Sequence, residues 1–112
     1  MYPRYHSRTV CFLLLPHVHL LDLAGPAQVF YEASQLGAAP YQLIYASATS
    51  EVISEQALPF GSLPSFQDVT LQAGDYVVVP GVDFNTFKTG KLNGAIKAIR
   101  PWLHQQLMSG VA

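Results

Sequence analysis

The chain has 112 residues, of which 50% are hydrophobic and only 12% charged, and its net charge is −1 at pH 7. Globular chains usually carry about 25% charged residues, so this one is expected either to cover its strands on both faces or to be a piece of a larger body. Six Lys and Arg in all exclude the basic stripe of a nucleic-acid surface, and Lys88, Lys91, Lys97 and Arg100 crowd into one helical region as a solvated face. The single cysteine, Cys11, excludes an internal disulfide framework and suits a reducing compartment. No signal peptide is visible, and no apolar run reaches the roughly 18 residues of a membrane span. These features predict a soluble, cytoplasmic chain with no membrane contact, and its length predicts one domain at most.

Residues 1–8 read as a loose polar arm. Thr9 to Leu15 is an uninterrupted apolar run, the pattern of a strand buried on both faces of a parallel sheet, and Pro16 ends it. Gly25-Pro26 reads as cap and first position of a helix in which Val29, Phe30, Ala33 and Leu36 recur at helical spacing, closed by Gly37 as a C′ residue. After Ala38-Ala39-Pro40, Tyr41 to Ala46 supplies a second strand, completing a βαβ unit. Val52-Ile53 and Leu58-Pro59-Phe60 suggest a short hairpin. Asp75 to Pro80 is a third strand, stopping at Pro80-Gly81. Leu92, Ala95, Ile96, Ile99, Leu103 and Leu107 mark an amphipathic helical region ending at Ser109-Gly110, with Pro101 expected to kink or break it. Val111-Ala112 reads as the first step of a further strand.

Four places could carry chemistry. Asp22 lies just beyond a buried strand, where α/β sheets gather ligands; it is equally the kind of carboxylate that a helix N-terminus favours. Pro80-Gly81-Val82-Asp83 occupies the corresponding place after the third strand. There Gly81 can turn N–H groups toward an anionic centre or simply meet a packing need. His17 and His19 could share a metal but have no third ligand nearby in sequence, so they read as turn histidines. Cys11, mid-strand between Val10 and Phe12, reads as core. Dinucleotide, phosphate-loop and serine-hydrolase motifs are absent from the sequence, and no cofactor is expected.

Val10 to Pro16, Leu21-Asp22-Leu23-Ala24-Gly25-Pro26-Ala27-Gln28-Val29-Phe30 and Asp75 to Gly81 together resemble the ThiJ/PfpI superfamily. The resemblance spans essentially the whole chain. It is nearest to the amidotransferase-like N-terminal domain of AraC-type transcriptional regulators, and next to the isonitrile hydratase group. It implies a three-layer α/β/α fold with a mostly parallel sheet, flavodoxin-like or class I glutamine-amidotransferase-like. Residues 9–112 would be the front part of that domain, cut before the strand that bears the nucleophile elbow. By the resemblance, Asp22 matches the acid that hydrogen-bonds a reactive cysteine, and Gly81 matches the first glycine of a Pro-Gly-Gly turn near an oxyanion site. Val82 replaces the second glycine, narrows the backbone and fills space. The matching cysteine is not in this chain, and Cys11 does not take its place.

Two functions follow from the resemblance. One is the front of a ligand-sensing, dimerising domain of an AraC-family regulator, inactive as a catalyst, with an unknown small-molecule ligand and DNA contacted only through a downstream domain. The other is the front of a cysteine-dependent hydratase or hydrolase. Either way the chain alone is expected to expose an apolar sheet edge and to be marginally stable or self-associating.

Overall fold

The computed structural model describes residues 7–37 and 40–112. The first strand, β1, runs Arg8–Leu14 and opens one residue earlier than its apolar run. The first six residues of the expected arm, and Ala38-Ala39, lie outside the described residues. Helix α1 spans Leu20–Gln35, β2 Tyr41–Ser47, β3 Val52–Ile53 and β4 Pro59–Phe60. A 3₁₀ turn at Phe66–Asp68 leads to β5, Tyr76–Val78, then to α2, Phe84–Lys88, and α3, Asn93–Met108.

β1 sits at the centre of a parallel sheet of order β2-β1-β5, while β3 and β4 pair antiparallel as the expected hairpin. The central place of β1 explains its composition. Val10, Phe12 and Leu14 face α1, Cys11 and Leu13 face α3, and all five are 0–1% exposed. The period of two along a strand sorts them between the faces, and each face then receives its own helix. The molecule is an α/β fold in three layers.

Toward α1, the N-terminal half of the sheet is filled by aromatics. Phe30 meets Tyr41 at 5.0 Å and Tyr76 at 6.0 Å between ring centroids, and Phe12 stacks on Tyr45 at 5.3 Å. Toward α3, Phe66 is 4% exposed and packs edge-on against Trp102 at 5.6 Å, beside Leu13, Ala46 and Ile99. At the far edge, Ala112 donates to the Asp75 carbonyl at 2.9 Å and accepts from the Val77 N–H at 2.8 Å. That pair of bonds is the parallel ladder pattern, although Val111-Ala112 forms no strand of its own.

Two expectations fail. Gly25-Pro26 does not open α1; the helix starts at Leu20, with its first bond from the Leu23 N–H to the His19 carbonyl at 3.2 Å. An outside partner allows the early start, because Gln56 Oε1 accepts the Leu20 N–H at 3.0 Å and satisfies one donor that a helix end leaves orphaned. Pro26 then falls inside the helix and deprives the Asp22 carbonyl of its donor. Pro101 likewise does not break α3, which runs through it as one helix. Pro101 and Lys97 both lie on the exposed side, where water can hydrate the carbonyl that proline leaves unpaired. Gly37, in contrast, is the C′ residue expected, with φ 77° and its N–H on the Ser34 carbonyl at 3.2 Å.

Candidate functional site

Strand order 2-1-5 reverses direction of travel at β1, and in open α/β sheets the crevice beyond such a switch point is the binding place. Two segments meet there. His17–Asp22 leaves β1 and enters α1, while Pro80–Asp83 leaves β5 and enters α2. Backbone bonds knit them together: His19 N–H to the Gly81 carbonyl at 2.9 Å and Asp83 N–H to the His17 carbonyl at 3.3 Å, around a Val18–Val82 antiparallel bridge.

Asp22 and Gly81 are in direct contact. A Cβ added at Gly81 would fall on Asp22 Oδ2 and lie 3.3 Å from its Cγ. Gly81 is absent from the residues with positive φ, so space, not backbone conformation, calls for glycine here. Asp22 sits in the first turn of α1 rather than in a loop before it, where a carboxylate is favoured by the helix dipole.

Val82 stands close by but turns away. Its side chain packs with the α3-face core beside Leu15 and Val77. As a non-hydrogen-bonded bridge residue it also keeps its own N–H out of the ladder to Val18. Its bulk therefore fills the core and not the notch at Asp22.

His19 lies between two carboxylates, with Nδ1 3.9 Å from Asp22 Oδ2 and Nε2 3.9 Å from Asp83 Oδ1. Both distances exceed hydrogen-bond range and leave only attraction of charge when the ring is protonated. Asp83 caps α2 by accepting from the Thr86 N–H at 3.0 Å and the Thr86 hydroxyl at 3.1 Å. The Thr86 N–H bond holds its carboxyl below the usual range against an opposing cost of desolvation, with lesser help from the Thr86 hydroxyl, His19 and His17. His17 goes elsewhere, with Nδ1 2.9 Å from Glu55 Oε2. Among the described residues no three His, Cys, Asp or Glu side chains converge on a metal position. Cys11 is fully buried, and burial pushes its thiol up to about 11, the opposite of an activated nucleophile.

Beside this polar notch lies a larger apolar cleft of about 720 Å³, roofed by the β3–β4 hairpin and walled by Leu14, Leu20, Leu23, Tyr45, Phe60 and Leu63. None of its walls stood among the candidate site residues read from the sequence. Ala24 and Ala27 line it too, and two alanines three apart beside Leu20 and Leu23 are the signal that could have revealed a space left open.

Comparison with known proteins places this architecture. The crystal structure of an AraC family transcriptional regulator from Pseudomonas putida superposes with a TM-score of 0.55 over 82% of this chain, at 20% identity. The match covers 51% of that regulator's chain, so this chain spans about half its length. No family model matches the sequence, and no curated protein does. The likeness is one of fold, a three-layer α/β arrangement with a mostly parallel sheet.

Proposed function

We propose that the chain is the front part of a ligand-sensing, dimerising domain of an AraC-type transcriptional regulator. The observation that carries this reading is the superposition of four fifths of the chain on such a regulator. An apolar cleft of small-molecule size between α1, the β1–β2 side of the sheet and the hairpin supports it. DNA contact belongs to a segment outside these residues, in keeping with a chain that carries only six Lys and Arg. The same reading makes the protein cytoplasmic.

In this reading Asp22, Gly81 and Val82 form a site that no longer catalyses. Asp22 has the position of an acid partner. Yet the only thiol of the chain, Cys11, is buried in β1 with its proton held tightly. Asp22 instead acts as a positioning group, packed on Gly81 and bridging the two segments that cross the end of the sheet.

An epitope tag at the N-terminus of the protein at its native locus tests the regulator reading. Cross-linking and sequencing of co-purified DNA should show enrichment at discrete sites. Recovery no better than an untagged control would overturn it.

A further inference from the structure

We propose that the cleft under the β3–β4 hairpin binds a small, uncharged, mainly aromatic molecule with a single hydrogen-bonding group, and that the hairpin relays its presence to Asp22. The inference rests on the ligand-sensing reading above and adds the chemistry of the effector and the wall that feels it.

Size and lining define the class. A volume of about 720 Å³ falls within the roughly 300–1,000 Å³ of small-molecule sites. No Lys, Arg, His, Asp or Glu lines the cleft, and Tyr45 is the one lining residue with a polar side-chain atom. A carboxylate or ammonium entering it would lose hydration without gaining a partner. A neutral ring would instead meet Leu14, Leu23 and Phe60, and the Tyr45 ring, braced by stacking on Phe12 at 19° between planes, offers a flat wall. A second hollow of about 330 Å³ shares Ala24, Ala27 and Tyr45 and continues along α1 toward Gln28 and Tyr31, giving room for a substituent.

The roof is tied to the start of α1. His17 N–H donates to the Ile53 carbonyl at 3.0 Å, Glu55 N–H to the Val18 carbonyl at 3.0 Å, and Leu20 N–H to Gln56 Oε1 at 3.0 Å. The three non-glycine residues with left-handed φ among the described residues, His17, Ala57 and Ser62, all lie in this roof and its tether. Such conformations persist only where surrounding bonds enforce them and gather at ligand clamps and switches. A molecule that shifts Leu58 to Phe60 therefore draws on Gln56, Leu20 and the first turn that carries Asp22.

Titration of the ¹⁵N-labelled protein with 2-naphthol and with 2-naphthoate, a matched neutral and anionic pair, tests both parts. We expect 2-naphthol to saturate one site, with amide shifts at Tyr45 and residues 58–63, and 2-naphthoate to bind at least about tenfold more weakly. Ala27→Leu should weaken 2-naphthol by about tenfold or more by filling the space, and Ala24→Val, a gentler filler, should weaken it less. Tyr45→Phe should reduce affinity for 2-naphthol by about two- to tenfold and leave 2-methylnaphthalene unaffected. Gln56→Ala should preserve binding while abolishing the shift at Asp22, and a shift at Asp22 that survives Gln56→Ala would overturn the relay. Equal affinity for the two probes, or binding untouched by both alanine fillers, would overturn the cleft. A fall in sedimentation mass on Ala27→Leu would overturn it too, by showing that a second copy occupies the space. Probe binding as described with no DNA enrichment defeats the regulator reading alone, and enrichment with no probe binding defeats the cleft alone.

Discussion

The two faces of β1 are packed to different ends. Toward α3, the Phe66–Trp102 pair, Leu13, Ala46 and Ile99 close the space to the end of the strand. Toward α1, aromatic rings fill the N-terminal half, and at the carboxyl end Ala24 and Ala27 stand where larger residues would complete the core. One strand thus supports a sealed core and an open one. A domain can keep an unfilled cleft on one face when its other face supplies the stability.

The largest test of that contrast is truncation on each face. Phe66→Ala should cost about 3–5 kcal/mol in urea denaturation, the range for a buried aromatic, whereas Phe60→Ala, in the cleft roof, should cost less than about 1.5 kcal/mol. Equal losses would show that the roof is core and the contrast false. Cys11 reports on the sealed face in another way. Burial lifts its thiol from 9.0 to about 11, and that shift alone lowers the thiolate fraction at pH 8 by about 100-fold. Alkylation should therefore be at least two orders of magnitude slower in the native protein than in urea. Comparable rates would mean that the α3 face opens readily.

At the rim, Gly81→Ala should displace the Asp22 carboxylate, because the new methyl takes the place of Oδ2. The expected cost is about 1 kcal/mol or less, since a short side chain can rotate aside, and Gly81→Ala combined with Asp22→Ala should cost less than the sum of the two. Additive costs would mean that the two residues do not touch. The smallest effect concerns Asp83. Its carboxyl titrates lower in the folded state than in the unfolded one, so its contribution is complete above about pH 4 and is lost as pH falls through the lower folded value. Asp83→Asn should keep a side-chain oxygen for the Thr86 N–H while removing that acid-side dependence. Melting temperatures of the variant and the wild type should then converge as pH falls below the ordinary carboxylate range and differ slightly at pH 7.

Much of the scaffold is readable in the residues. An unbroken apolar run identifies β1, largely apolar segments identify β2 and β5, and Gly37 marks the end of α1, because strand burial and left-handed backbone each leave a local signature. The start of α1 is not local. It depends on Gln56, 36 residues from Leu20, and without that acceptor Gly25-Pro26 is the better place to begin. Pro101 misleads in a related way, since tolerance of a mid-helix proline depends on which side of the helix faces water. Asp22 and Gly81 were legible as equivalent positions after two strands, though their contact required the fold. The cleft was illegible because it consists of residues that are small or absent, contributed by α1, two strands and a hairpin.

Pro26 has a mechanical consequence. With no N–H to give, it leaves the Asp22 carbonyl without its rung in the helical ladder, so Leu20–Gly25 is joined to the rest of α1 by fewer ties than a continuous helix would have. That single turn carries Leu20 and Leu23 on the cleft and Asp22 on Gly81. The one missing bond thus falls between the turn that touches both the cleft and Gly81 and the remainder of the helix.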